Sequence, residues 1–221
     1  MKKLLLSIAI ATLAVGSVQA ADPVVMLDPV IEIDNTYDWS GLYVGAFAGF
    51  GSGTSFDQGP VNVPLSGMLA GVDIGANAQF GKFVLGAEGD IAWSNIGGTV
   101  GCPAPVFACS DTLNWLGTGR IRGGIALNRV LLYVHGGFAA GTVTATNVPA
   151  NPGTTGTASV GVAGWTAGLG GEFAVGERVS LKAEYAFVNV AGTAPAGTLV
   201  LGTSTINPQF HTGKFGVNFH F

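Results

Sequence analysis

The chain has 221 residues, a formal net charge of −4, 48% hydrophobic and only 10% charged residues, and 36 glycines. Nine Lys and Arg against 13 Asp and Glu, with no basic cluster, give nucleic-acid binding no support. So little charge leaves two classes: a secreted glycine-rich β protein in water, or a protein whose apolar surface faces lipid.

Residues 1–20 carry Lys2 and Lys3, an apolar run from Leu4 to Val15, and the small residues Val18 and Ala20 around Gln19. This is the layout of an export signal, and the mature chain is expected to begin near Ala21. The remainder has no apolar run of about 18 residues, so no helical span is expected and any lipid contact must come from alternation. Residues 21–38 contain Pro23, Pro29 and five acids (Asp22, Asp28, Glu32, Asp34 and Asp38) with no base, and read as an extended periplasmic lead-in.

A two-residue rhythm starts at Trp39. Leu42, Val44, Ala46, Ala48 and Phe50 share one face, with Tyr43, Gly45, Phe47 and Gly49 on the other. From about Met68 to Phe80 every even residue is apolar, whereas Gly71, Asp73, Gly75, Asn77 and Gln79 are small or polar. Gly81-Lys82 reads as a hairpin turn, after which Phe83, Leu85, Ala87, Ile91 and Trp93 oppose Glu88, Asp90 and Ser94. The fourth strand begins near Leu113, with Trp115, Ile121 and Ile125 outward and Asn114, Thr118, Arg120 and Arg122 inward. Asn128-Arg129 turns into a fifth strand, about Val130 to Gly141, with Leu132, Val134 and Phe138 against Tyr133, His135 and Gly137.

A sixth strand covers about Val162 to Ala174, Gly176-Glu177 turns it, and a seventh runs from Val179 to Val188. The eighth starts near His211 and ends on Phe215, Val217, Phe219 and Phe221, alternating with Lys214, Gly216, Asn218 and His220. Long connections near 51–67, 95–112, 142–161 and 189–210 alternate with the three short turns, as in barrels with short periplasmic turns and long extracellular loops. The predicted fold is therefore all-β: an eight-stranded antiparallel transmembrane β-barrel of the outer-membrane type over residues 39–221.

The face assignment sends Asp73, Glu88, Asp90, Glu172 and Glu184 inward together with Arg120, Arg122, Lys182 and Lys214, and leaves the lipid face without charge. An Arg or Lys facing mid-bilayer lipid costs about 2–4 kcal/mol, so this segregation supports the fold. Counting from the turns sets Asp73 opposite Asp90 and Arg122 opposite His135. Two adjacent acids need a cation, and Arg120 or Arg122 is expected to bridge them in a polar network that plugs the lumen. The alternative is a proton or ion path, disfavoured because side chains just fill an eight-stranded barrel. Inward glycines such as Gly75 and Gly170 leave room for the charged groups. Trp39, Phe80, Phe83, Phe173 and Phe221 form one aromatic belt at the turn side, and Phe50, Trp93, Trp115, Trp165 and Phe187 a second toward the long connections.

Cys102 and Cys109 follow the export signal and are expected to pair as a loop staple, since the Cys-x-x-Cys spacing of redox catalysts is absent. His135, His211 and His220 are too scattered for a metal triad, and Ser40, Ser66 and Ser94 stand in no fixed relation to a histidine and a carboxylate. Neither a catalytic residue nor a cofactor or metal site is expected.

The segments Trp39-Ser40-Gly41-Leu42-Tyr43-Val44-Gly45, Phe83-Val84-Leu85-Gly86-Ala87-Glu88-Gly89-Asp90, Trp115-Leu116-Gly117-Thr118, Gly164-Trp165-Thr166-Ala167-Gly168 and Ser180-Leu181-Lys182-Ala183-Glu184-Tyr185, with the closing phenylalanine, resemble the alphaproteobacterial outer-membrane β-barrel family. Its members are small surface antigens often termed outer membrane immunogenic proteins. The resemblance spans essentially the whole mature chain and implies a surface-exposed barrel inserted by the barrel-assembly machinery, with Phe215, Val217, Phe219 and Phe221 as the assembly signal. One branch of the family binds haemin, and no binding residue of that branch is matched here.

The expected role is non-enzymatic: a barrel anchored in outer-membrane lipid, rigidified by its filled lumen, whose four long loops meet extracellular or host partners. The alternatives are a narrow small-solute channel and a surface receptor for a haem-like or hydrophobic ligand.

Overall fold

The computed structural model describes residues 37–56, 62–101, 107–149, 156–195 and 205–221. Eight strands follow one another: β1 (Gly41–Phe56), β2 (Asn62–Phe80), β3 (Phe83–Gly101), β4 (Phe107–Leu127), β5 (Val130–Pro149), β6 (Gly156–Ala174), β7 (Val179–Thr193) and β8 (Thr205–His220). Each pairs antiparallel with the next, and β8 returns to β1 with Tyr43 opposite His220 and Phe56 opposite Asn207, so the sheet is a closed barrel. Closure removes the free edge that neither lipid nor water-borne partners would leave unpaired.

Short turns gather at one end of the barrel, here the turn end. Gly81 and Asn128 open the two-residue turns Gly81-Lys82 and Asn128-Arg129 with left-handed φ values of 61° and 53°. Glycine and asparagine are the residues that accept this conformation most cheaply. The third turn is wider than the expected Gly176-Glu177 pair. Residues 175–178 form the bend, because Val179 O accepts from both Val175 N at 2.9 Å and Gly176 N at 3.3 Å.

At the opposite, distal end the strands run well beyond the expected limits. β2 through β6 are 19 to 21 residues long, about twice the 9–11 that a tilted strand needs to cross a hydrocarbon layer. Much of what reads as long loops near 51–67, 95–112, 142–161 and 189–210 is therefore strand. The apolar exterior stops where these extensions begin. In β3 it runs from Phe83 (67% exposed) to Trp93 (69%), and the following outward positions are Asn95 and Thr99.

Two further expectations change. Asn114 points outward, because a bulge between Leu113 and Trp115 inserts one residue relative to β5 and switches the inward parity of β4 from odd to even numbers. Trp39 precedes β1 and belongs to no belt. It is fully buried at the turn end with Val84, Ala126, Leu131, Tyr133 and Ala174, with Tyr37 packed against the group. Its indole is drawn inside because the chain enters the barrel mouth there before turning up into β1. The other expected belt residues lie outward, from Phe221 at 73% exposed to the half-buried Phe187.

The expected export signal lies outside the described residues, as does the lead-in up to residue 36, and Cys102. Cys109 is described and faces inward on β4, 3% exposed.

Candidate functional site

The interior is layered. An apolar plug around Trp39 fills the turn end, an apolar cluster around Leu69, Leu113, Val143 and Phe210 fills the distal half, and a charged layer lies between them. All nine charged residues expected in the lumen occupy that layer, between 1% and 7% exposed: Asp73, Glu88, Asp90, Arg120, Arg122, Glu172, Lys182, Glu184 and Lys214.

Arg120, inward from the middle of β4, is the hub. Its guanidinium pairs with Glu88 and Glu184, and its Nη2 lies 2.8 Å from Asp90 Oδ2. The expected register holds, with Asp73 opposite Asp90 on β2 and β3. No single arginine bridges the two acids, however. Lys182 reaches across from β7 to Asp73 at 2.9 Å and Glu88 at 3.1 Å, while Arg120 and Lys214 (3.3 Å) hold Asp90. A barrel of this size lets a long side chain span the lumen, so strands remote in sequence supply the counter-charge.

Arg122 serves the carboxylates nearer the turn end. Its Nη1 is 2.6 Å from Glu172 and 3.6 Å from Glu88, and its Nε donates to Asn77 Oδ1 at 2.9 Å. The guanidinium lies between two phenol rings, 4.6 Å from the centroid of Tyr43 and 4.9 Å from that of Tyr133. Those rings need space on the neighbouring strands. A Cβ on Gly75 would overlap the Tyr43 ring, and one on Gly170 would come within 2.6 Å of the Tyr133 phenol.

Hydroxyls complete the layer. Tyr43 donates to Glu88 at 2.7 Å, Thr118 to Asp90 at 2.6 Å, Tyr133 to Glu184 at 3.2 Å and Ser180 to Glu172 at 3.2 Å. His135 Nε2 lies 3.3 Å from Glu184, and His220 Nε2 2.9 Å from the Ser180 hydroxyl. Lys214 lies over the Phe47 ring at 4.6 Å. Alternation alone sets several of these side chains on the inward face but does not mark them as members of the network. Their common signal is inward parity at the height of a charged residue. His211 is elsewhere: it stacks on Tyr185 on the exterior and shares a 2.6 Å hydrogen bond with its hydroxyl.

On β8, Phe215, Val217, Phe219 and Phe221 turn outward, 65%, 49%, 41% and 73% exposed, and Phe221 N still donates to Leu42 O on β1 at 3.0 Å. Their row continues the oily exterior up to the seam where the barrel closes.

An edgeless sheet with an apolar outer belt and its charges sealed inside has the build of a transmembrane barrel of the outer-membrane class. Residues 8–221 match the family described as outer membrane protein beta-barrel domain, and the chain belongs to that family. It is 32% identical over 244 residues to the 31 kDa outer-membrane immunogenic protein of Brucella melitensis biotype 1, covering 100% of both chains. It is 26% identical over 207 residues to the 25 kDa outer-membrane immunogenic protein of the same organism, covering 91% of this chain and 90% of the relative. Among solved structures it is similar to the outer membrane protein OprG from Pseudomonas aeruginosa, with 9% identity, a TM-score of 0.49, and 85% and 99% of the two chains covered. The protein resides in the outer membrane and is of the immunogenic surface type.

Proposed function

We propose that the protein is a non-enzymatic structural and surface-interaction barrel. Its ionic layer acts as a rigid filling, and its distal half carries the extended strand ends and the four connections between them toward partners outside the cell. The observation that carries this reading is the sealing of the ionic layer. Nine charged side chains, none more than 7% exposed, are paired with one another between two apolar plugs, which leaves a hydrated ion little reason to enter. The short turns would then lie in the periplasm and the distal half outside.

The row of Phe215, Val217, Phe219 and Phe221 supports insertion by the barrel-assembly machinery, since it presents an aromatic edge at the closing seam. A bridge from Cys109 to Cys102 would staple the connection between β3 and β4 and is part of the same proposal.

Reconstitution into planar bilayers tests the filled lumen. The expected result is no steady conductance above background in molar salt. A wide conductance proportional to bulk salt would overturn the reading in favour of a small-solute channel. A haemin titration that saturates at micromolar ligand would instead favour a receptor.

A further inference from the structure

Among the described residues the inner face of the distal half contains one charged side chain that the ionic layer does not absorb. Asp111 projects inward from β4, opposite Gly98 on β3 and Ala145 on β5, and is 3% exposed. Its surroundings are the apolar cluster of Leu113, Val143 and Val160. Ser55, fully buried on β1, is the polar side chain that acts on it, its hydroxyl offsetting part of the burial, and Asp111 Oδ2 is left without a hydrogen-bond partner.

No base among the described residues can reach Asp111. The nine Lys and Arg of the chain are Lys2, Lys3, Lys82, Arg120, Arg122, Arg129, Arg178, Lys182 and Lys214, so none falls in a distal strand extension or a long connection. Arg120, the next base along β4, is nine residues away, about 30 Å by strand rise. Among the described residues no other titratable side chain lies on this inner face at this height, since Cys109, two positions along the same strand, is not a free thiol. Among the positions whose side chains are described, the remaining inward ones at this height are apolar, glycine or Ser55.

We propose that Asp111 is a protonation latch for the distal barrel: neutral, it stays inside and the distal strands remain closed; ionised, it draws β4 away from β5, the neighbour to which no bridge ties it, to reach water and opens the apolar interior. A carboxylate buried without a cation is strongly disfavoured, and separation of the strand ends is the nearest relief. Burial raises the carboxyl above its ordinary value, in keeping with a proton being held in the closed form. The sign follows. An acid whose folded value is raised contributes most below its unfolded value, and that contribution is lost as pH rises through the folded value. The latch therefore weakens toward alkaline pH. It does not depend on the lumen filling proposed above, because it lies in a separate apolar layer.

Hydrogen exchange on the detergent-solubilised full-length protein at pH 5 and pH 8, corrected for intrinsic rates, tests the latch. In the wild type, amides of β4 between residues 108 and 113 and of β5 between residues 143 and 148 are expected to lose about tenfold or more in protection at pH 8. The amides around Arg120 should stay unchanged. Asp111→Asn keeps the shape and cannot ionise, and it should be equally protected at both pH values. A flat wild-type profile, or an Asp111→Asn profile that keeps the same pH dependence, would overturn the proposal. Loss of protection throughout the barrel would do so as well, since that result points to the ionic layer instead.

Discussion

The membrane half and the distal half of this barrel share the same eight strands and, apart from the bulge in β4, the same inward parity, yet their polarity is opposite. β2 shows both in one stretch. Near the distal end Val63 and Leu65 face inward while Asn62, Pro64 and Ser66 face out. Nearer the turns Asp73 and Asn77 face inward while Val72 and Ile74 face out. The strand does not change; its surroundings do. Where lipid is outside, the apolar side chains go out and the charges must find one another within. Where water is outside, the apolar side chains go in and form an ordinary core. The sheet is an indifferent scaffold, and the side-chain rows record which solvent each level meets.

If the two halves are held by different forces, substitutions should separate them. The largest effect is expected for Arg120→Met. It removes the shared cation of Glu88, Asp90 and Glu184 without replacing them, and stranding one side of a buried pair costs about 3–5 kcal/mol. Urea unfolding in detergent, read by the heat-modifiable gel shift, should show it. A variant that unfolds like the wild type would mean that the ionic layer contributes no stability. Next comes a paired test on the outer wall. Ile121→Arg places a charge on the lipid face, at a position now 70% exposed, and is expected to cost about 2–4 kcal/mol in bilayers. Ser159→Arg, outward on the distal part of β6, should stay within about 0.5 kcal/mol. Equal penalties would abolish the distinction between the two solvents.

The sequence reading followed the same divide. In the membrane half, bulky apolar residues alternate with charges, and that contrast placed all eight strands, their faces and the Asp73–Asp90 pairing. In the distal half the alternation is between Val or Ala and Thr, Gly or Ser, as along Thr142, Val143, Thr144, Ala145 and Thr146 on β5. The contrast there is low and its polarity reversed, so the alternation that marks an oily exterior stops before each strand does. Asp111 is hidden for the same reason: it lies in a low-contrast segment that has the pattern of a loop. Partners across the lumen were hidden by a different cause. Counting from a turn fixes neighbours on adjacent strands, but Lys182 and Asp73 are 109 residues apart and meet only because the barrel closes. Trp39 had the right spacing for a belt, and only the path of the entering chain shows that it is a plug.

The smallest effect is expected at the seam between the halves. Tyr185 and His211 are stacked on the exterior, with the hydroxyl 2.6 Å from Nδ1, where the outward row of β8 passes from Phe215 to Gln209. Both rings are exposed, so water can replace the bond that Tyr185→Phe removes, and the loss should be about 1 kcal/mol or less. The same unfolding assay measures it. Were Tyr185→Phe to match Arg120→Met, the two halves would be joined mainly by this boundary ring rather than by the continuous ladders of the strands, and the view of one scaffold in two solvents would have to be replaced by one of two barrels coupled at a hinge.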